Sequence, residues 1–264
     1  MFFFYNYLCA KNIVGKVTGI KFTSQQFKNY TITFDSFGAF FAIFTELFIY
    51  NIYYFETNKS APFVVDCGAN IGLAVFYIKY LYPQARVHCY EPDKETFAIL
   101  EKNMLLNNFK DVVCLQEAVS DTVGEAEFYS FGNMQGGPGN TLEKSQVNFA
   151  NVNSYKVPVV TLSSKNYDHV DFLKIDVEGA EGWVLRDIDT TGVLKKTDRI
   201  SLEYHYDEAI SHNTLSGILQ ILETNNMHTI LNANILVGYY ITKKKFEGWN
   251  HKYVLMLDSY KKDL

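Results

Sequence analysis

The chain has 264 residues, of which 48% are hydrophobic and 20% charged, which allows a sizeable core and argues against wholesale disorder. A net charge of −5 argues against a protein held on nucleic acid by bulk positive charge, so no nucleic-acid partner is expected. The four cysteines form no CxxC pair, which gives no support to a zinc ribbon or a thioredoxin-type site. We expect reduced, buried thiols in a cytoplasmic protein.

Residues 1–60 are predicted to form an N-terminal extension. Residues 1–8 are aromatic and lack a basic segment and a small-residue cleavage site, which argues against a signal peptide. Alternating apolar residues within 16–34 predict two short strands, and a helix is predicted over 36–55. Glu46 lies in the middle of this apolar helix, and a carboxylate at the centre of a bilayer is costly. We therefore expect a core or interface helix, with a membrane-surface helix as the alternative.

From residue 61 onward, strand and helix patterns alternate, which predicts an α/β fold with a mostly parallel sheet covered on both faces. The predicted strands are 63–65, 86–90, 112–115, 125–129, 156–162, 170–175, 199–205 and 252–257. The predicted helices are 70–82, 93–107, 180–188 and 214–224. Segment 131–155, with four glycines and five asparagines, interrupts the pattern and is predicted to be a loop insertion. Such a loop is either a substrate lid or a surface insertion.

A glycine-rich turn, Asp66-Cys67-Gly68-Ala69-Asn70-Ile71-Gly72, directly follows a predicted strand and opens a predicted helix. Glycines let the chain turn tightly and let a ligand approach the backbone. Open α/β sheets bind ligands at the carboxyl ends of their strands, where this turn lies. Glu91 ends the second strand and is placed to accept hydrogen bonds from a ribose diol.

Two classes of nucleotide ligand use such a turn. A dinucleotide site would carry G-x-G-x-x-G, but from Gly68 this chain has Asn70 and Leu73 at the second and third glycine positions. The carboxylate of Asp66 would repel a pyrophosphate, whereas S-adenosylmethionine carries a cationic amino group and a sulfonium. S-adenosylmethionine is therefore the favoured cofactor. A nicotinamide dinucleotide, or a tight turn with no ligand, is the alternative.

Carboxylates also follow the predicted central strand. Asp176 is expected beside the glycine turn across the cleft, whereas Glu181 is explained as an acid in the first turn of a helix. Glu203 and His205 end the next strand on one face. We expect His205 or Asp176 to accept a substrate proton, with Glu178 assisting. An oxygen/nitrogen metal site is the alternative use of these residues, but their spacing is not specific and no metal is predicted.

These motifs resemble those of the FkbM-type methyltransferases over about residues 46–206. The resemblance rests on segments 65–72, 90–92, 103–108, 118–120 with Gly124, 174–181, Val184-Leu185, and Glu203 with His205. It implies that 61–264 form a Rossmann-like methyltransferase domain with a mostly parallel, seven-stranded, doubly wound sheet. It also implies S-adenosylmethionine as cofactor and O-methylation of sugar or natural-product hydroxyls.

We therefore expect an S-adenosylmethionine-dependent O-methyltransferase. The expected cofactor-binding residues are Asp66, Gly68, Ala69, Asn70 and Gly72 for the methionine end, Glu91 and Pro92 for the ribose, Ala118 and Val119 for adenine, and Asp176. The expected catalytic residues are His205, Asp176 and Glu178.

The expected acceptor is a small molecule, sugar or glycan, and assembly into a homo-oligomer is left open. The alternatives are an NAD-dependent oxidoreductase and a non-catalytic Rossmann-like binding module. That module could contact a membrane surface through residues 37–55.

Overall fold

The computed structural model describes residues 1–131, 140–143, 152–207, 210–232 and 253–261. Its helices are α1 (Phe2–Thr18), α2 (Phe37–Phe48), α3 (Leu73–Leu81), α4 (Lys94–Leu106), α5 (Glu181–Thr190) and α6 (Leu215–Thr224). Its strands are β1 (Ser24–Phe27), β2 (Tyr30–Thr33), β3 (Phe63–Cys67), β4 (Arg86–Tyr90), β5 (Val112–Leu115), β6 (Ala118–Val119), β7 (Gly124–Phe131), β8 (Val152–Val160), β9 (Val170–Ile175), β10 (Thr197–Tyr206), β11 (Met227–Asn232) and β12 (Tyr253–Lys261).

A seven-stranded sheet of order β11-β12-β10-β9-β3-β4-β5 forms the centre of the molecule. Strands β10, β9, β3, β4 and β5 are parallel, and β12 runs antiparallel to both of its neighbours. All six residues of β9 are buried, as expected for a strand covered on both faces. The predicted mostly parallel, seven-stranded α/β sheet is confirmed. Because these strands are parallel, the residues that follow β3, β4, β9 and β10 meet at one edge.

The N-terminal region differs from the sequence prediction in two places. Helix α1 occupies the start of the segment predicted as two strands, so the hairpin comprises only β1 and β2. Phe4 and Leu8 pack inward one helical turn apart. This spacing is typical of a helix, whereas the sequence prediction for this region rested on alternating apolar residues. Helix α2 ends at Phe48 rather than at residue 55, because Asn51 adopts a left-handed conformation with φ 55°.

One aromatic core joins the N-terminal region to the main sheet. Phe40, Phe44 and Phe48 of α2 are buried, and Phe44 stacks on Phe48 with ring centroids 4.4 Å apart. Phe48 then packs edge-on against Tyr77 of α3. Residues on both sides of position 60 therefore share a core cluster. A division into 1–60 and 61–264 stays a prediction.

A smaller sheet of order β6-β8-β7 carries the ends of the predicted loop insertion. Strand β8 begins at Val152, so residues 152–155 are strand rather than loop. Residues 132–139 and 144–151 of the insertion lie outside the described residues. The two-residue β6 is too short to predict, and β11, with three of its six side chains exposed, lacks an alternating apolar pattern. Of the helices that the structure describes, none combines the length and apolarity needed to cross a bilayer.

Candidate active site

The glycine turn lies between β3 and α3, and both of its glycines lie close to neighbouring parts of the protein. Gly68 and Gly72 have φ angles of 90° and 92°, which favour glycine. A Cβ atom on Gly68 would lie 1.8 Å from the carbonyl oxygen of Asp176, and one on Gly72 would lie 2.7 Å from Met104 Cε. The sequence analysis explained these glycines by a tight turn and by the approach of a ligand. The φ angles agree with the tight turn, and the atoms that the structure places against the glycines belong to Asp176, after β9, and to α4.

Every backbone amide of residues 68–72 donates a hydrogen bond within the protein. The first two reach the carbonyl oxygen of Tyr90 at 3.0 and 2.8 Å, and the third reaches Glu91 Oε2 at 2.9 Å. The last two bond within the turn. Dinucleotide sites bind pyrophosphate through free amides of this turn and of the following helix. This turn offers a pyrophosphate no amide from residues 68–72, which disfavours a dinucleotide.

Lys174 lies in the candidate site, although the sequence analysis did not single it out. Its buried ammonium lies 3.1 Å from Asp66 Oδ1 and 3.2 Å from Asp176 Oδ2, and it donates to the carbonyl oxygen of Gly68 at 2.7 Å. Burial lowers the pKa of a lysine, but the two carboxylates outweigh burial, so the pKa of Lys174 lies above its ordinary value. The charge of Asp66 is therefore offset by a lysine, unlike the free charge that the sequence argument assumed.

A lysine inside a fully buried strand was the signal for this pairing, because buried lysines are almost always paired. Asp66 itself is fully buried, and its Oδ2 atom has no hydrogen-bond partner among the described residues. An unsatisfied buried carboxylate oxygen is costly. Asp66 therefore retains an acceptor atom for a donor that a ligand or a water molecule would bring.

Glu91 is the carboxyl group that the structure holds at the far side of the turn. Its Oε2 accepts from the amide of Asn70 and its Oε1 from the amide of Asp93, both at 2.9 Å. Each oxygen keeps a further lone pair for a hydroxyl donor. Burial, with repulsion from Asp93, raises the pKa of Glu91 to about 8. Pro92 follows it and is half-buried.

The predicted adenine-contacting residues are already packed within the protein. Val119 belongs to the core beneath β3 and β9, and Ala118 packs with Phe128 and Val157 of the smaller sheet. Both side chains are buried. The structure thus gives them a packing role, and their contact with adenine stays a prediction.

Asp176 lies across the cleft from the glycine turn, where it was expected. Its amide donates to the carbonyl oxygen of Cys67 at 3.0 Å. Burial raises the pKa of Asp176, aided by Glu178 and opposed by Lys174. Nearby, Thr141 in the described piece of the insertion donates to the carbonyl oxygen of Glu178 at 2.6 Å. The insertion is therefore anchored beside the acidic residues.

His205 ends β10 inside a group of carboxylates. Its Nδ1 lies 2.9 Å from Glu181 Oε1, and its Nε2 lies 3.3 Å from Glu178 Oε2 and 3.7 Å from Glu203 Oε1. Burial alone would lower the pKa of His205, but Glu178 and Glu181 outweigh it and hold the pKa well above its ordinary value. An imidazolium has no lone pair with which to accept a proton. His205 must therefore release a proton before it can act as a base.

Glu181 orients His205, a role that the sequence analysis missed because an acid in the first turn of a helix looks like a cap. Glu181 is fully buried and accepts from the amide of Gly179 at 2.9 Å and from Asn213 Nδ2 at 2.7 Å. Asn213 Nδ2 also donates to the carbonyl oxygen of His205 at 3.0 Å. Only the tertiary placement of Asn213 and His205 distinguishes this arrangement from a cap.

Among the residues that the structure describes, two groups of side chains have the spacing that a metal ion would require. The ligand atoms of Asp176, Glu178 and His205 lie within 4.8 Å of one another, and so do those of His169, Asp171 and Asp198. The second group lies at the amino ends of β9 and β10, where Lys59 and Lys261 pair with its aspartates. Ion-pair networks without a metal share this spacing. The expectation of no metal stays a prediction.

Comparison with known proteins decides the family. A sequence model described as the Methyltransferase FkbM domain matches residues 66–228, which include the glycine turn and the whole acidic group. The chain belongs to the FkbM methyltransferase family. The resemblance stated from its motifs is thereby confirmed, and family membership sets the oxidoreductase alternative aside.

Curated relatives of this FkbM-family chain are also methyltransferases. It is 30% identical over 179 residues to Methyltransferase sdnD of Sordaria araneosa, a match that covers 56% of this chain and 68% of that protein. It is 30% identical over 168 residues to Methyltransferase 1 of Beauveria bassiana (strain ARSEF 2860), covering 56% of this chain and 66% of that protein.

Among solved structures, the methyltransferase FkbM of Methylobacillus flagellatus KT aligns with a TM-score of 0.51 at 14% identity. The alignment covers 78% of this chain and 45% of that one, so this FkbM-family chain spans less than half of the neighbour's length. At this identity the comparison shows the fold alone, and it confirms the predicted Rossmann-like methyltransferase fold.

Proposed function

We propose that this FkbM-family methyltransferase transfers a methyl group from S-adenosylmethionine to a hydroxyl group of a sugar, glycan or natural product. The observation that carries the choice of cofactor is the turn at 68–72, whose amides are all used while carboxyl groups surround it. A phosphate-free, cationic nucleoside suits that environment, and an anionic pyrophosphate does not. When bound, this cofactor supplies a methyl group that its sulfonium already makes electrophilic.

The residues around the turn fit the two ends of such a cofactor. Glu91 has free lone pairs for the ribose hydroxyls, with Pro92 beside it. Asp66 and Asp176 share a single lysine, so this end of the cleft carries more negative than positive charge and favours a cationic amino group. Gly68, Ala69, Asn70 and Gly72 form the turn beneath it.

The acceptor hydroxyl group is proposed to lie against Asp176, Glu178 and His205. In the transfer, the oxygen–carbon bond forms as the carbon–sulfur bond breaks, and the hydroxyl proton passes to the protein. Asp176 is the favoured proton acceptor, because its pKa is raised and its carboxylate is partly exposed, whereas the carboxylates around His205 raise the pKa of His205 and favour its protonated form. Holding the two reactants in line can contribute ~7–11 kcal/mol to catalysis.

The reaction can be tested with methyl-labelled S-adenosylmethionine and a panel of polyhydroxylated acceptors, followed by NMR of the product. We expect the label in an O-methyl ether, and we expect Asp176→Asn to lower turnover by about 10²–10⁴-fold. Label on nitrogen or carbon would contradict O-methylation. Full activity of Asp176→Asn would move the proton-accepting role to Glu178 or His205. Transfer of no label to any hydroxyl acceptor would count against the proposed acceptor class.

A further inference from the structure

Helix α1 presents an apolar face to solvent. Of the sixteen large apolar side chains that are exposed among the described residues, eight lie within residues 1–20. Those on the helix itself are Phe2, Phe3, Tyr7, Ile13, Val14 and Val17, and they form what we call the α1 outer face. Positions 3, 7, 14 and 17 follow the spacing of one side of a helix. The opposite side of α1 packs into the core through Phe4 and Leu8.

The sequence segment that carries this face has charges of one sign. Residues 1–34 contain four lysines and no arginine, aspartate or glutamate. The rest of the chain therefore carries 20 Lys and Arg against 29 Asp and Glu, a net charge of −9. Lys16, near the end of α1, and Lys21, just beyond it, are both exposed. A cationic segment with an apolar face thus belongs to a chain that is otherwise acidic.

We propose that the α1 outer face docks on the anionic surface of a lipid membrane, with the helix lying in the plane of the interface. Helices that bind in this way place aromatic and aliphatic side chains at the boundary between head groups and acyl chains, and lysines beside the anionic head groups. Phe2, Phe3 and Tyr7 supply the aromatic part and Val14 and Val17 the aliphatic part.

A second copy of the chain fits this face less well. In a symmetric pair of α1 outer faces, Lys16 and Lys21 of the two copies would come together, and residues 1–34 hold no acid to pair with them. An anionic membrane offers both the apolar interior and the opposite charge. The site of docking differs from residues 37–55, whose helix α2 packs Phe40, Phe44, Leu47 and Phe48 into the core.

Flotation of the full chain with vesicles tests the proposal. One set of vesicles is phosphatidylcholine alone, and the other contains about a third phosphatidylserine. We expect the protein to float with the anionic vesicles only, and to be released at about 0.5 M salt, which shortens the Debye length. The proposal would be overturned if the protein bound both sets of vesicles equally, or if it bound neither set.

Two matched variants locate the contact. Val17 on α1 is 80% exposed and Leu105 on α4 is 83% exposed, so Val17→Glu and Leu105→Glu alter equally exposed helical positions. We expect Val17→Glu to lower vesicle binding at least about tenfold and Leu105→Glu to leave it unchanged, with thermal unfolding unaltered in both.

An equal loss of binding in the two variants would refute the α1 outer face as the contact. The face would instead be assigned to a second copy of the chain under two conditions. The wild type would be a dimer that Val17→Glu converts to a monomer, and neither protein would bind vesicles. Neither outcome bears on the proposed methyl transfer, because α1 contributes no residue to the candidate active site.

Discussion

Glu91 links ligand binding to pH at the scale of a single residue. With a pKa of about 8, it is largely protonated at pH 7. Hydroxyl donors bind a carboxylate more strongly than a carboxylic acid, so cofactor binding favours the ionised form and releases a proton. Affinity for S-adenosylmethionine is therefore expected to rise as pH increases from about 7 to 9.

The substitution Glu91→Gln should weaken S-adenosylmethionine binding by about ten- to a hundredfold and flatten this dependence on pH. Calorimetric titration at several pH values measures both effects, and circular dichroism verifies folding. The exposed Glu95→Gln on α4 is a suitable control. Unaltered affinity in Glu91→Gln, with the same pH profile as the wild type, would remove Glu91 from the binding site.

Glu181 controls the protonation of His205 through its carboxylate at Nδ1. Glu181→Gln keeps the shape of the side chain but removes one of the negative charges that raise the pKa of His205. We expect NMR titration to show a lower His205 pKa. Turnover should fall at least about tenfold with unchanged cofactor affinity, because the positive charge of His205 helps to keep the proton-accepting Asp176 ionised. An unshifted His205 pKa would contradict the orienting role. The exposed Glu223→Gln provides the control.

At the scale of elements, the β3–α3 turn and the exit of β9 are fitted to each other through Gly68. Alanine there would both adopt a left-handed conformation and place its Cβ against the carbonyl oxygen of Asp176. Gly192 also has a positive φ, 79°, but no atom lies within 4 Å of its would-be Cβ. The variant Gly192→Ala therefore measures the cost of a left-handed backbone conformation without the cost of a steric contact.

Urea unfolding should therefore show a loss of about 1 kcal/mol for Gly192→Ala and of at least about 3 kcal/mol for Gly68→Ala. The difference between the two variants measures the contact between the turn and β9. Equal losses would show that the two segments do not touch as described.

All strands of the central sheet except β11 could be predicted, because their signals are local. Strand β3 begins with three consecutive apolar residues, 63–65, and the helices around the sheet have capping residues such as Asp93, which accepts from the amide of Thr96. Helix α1 could not be predicted from the same signals. Its apolar residues face both the core and the solvent, so residues 16–22 resemble an alternating strand.

The site could be predicted less fully than the sheet. Asp176 and His205 were found because the carboxyl ends of neighbouring parallel strands meet at one edge. Lys174 and Glu181 were missed as site residues because their roles arise from partners distant in sequence, such as Asp66 and Asn213. The amides of Gly68 and Ala69 also donate to the carbonyl oxygen of Tyr90 at the end of β4, and the sequence of the turn does not reveal that acceptor.

At the scale of the whole molecule, the aromatic core couples the N-terminal region to the sheet. Phe44 of α2 is fully buried and packs against Phe4, Phe27 and Phe48. Phe44→Ala should lower the free energy of unfolding by about 3–5 kcal/mol. Because this core also holds Tyr77 and other residues of α3, we expect wild type and variant each to unfold in one transition.

Differential scanning calorimetry measures this directly, with the exposed Phe3→Ala on α1 as control. A second transition that shifts alone in Phe44→Ala would show that residues 1–60 form a separate cooperative unit. The predicted domain division would then hold, and the shared core would not be cooperative.

Calorimetric titration of the purified chain with S-adenosylmethionine, and separately with NADH, tests the central claim that this cleft binds a phosphate-free cationic nucleoside. We predict that S-adenosylmethionine binds at one site, with lower affinity in Glu91→Gln, and that NADH gives no detectable heat. Binding of NADH at that site with none of S-adenosylmethionine would contradict it.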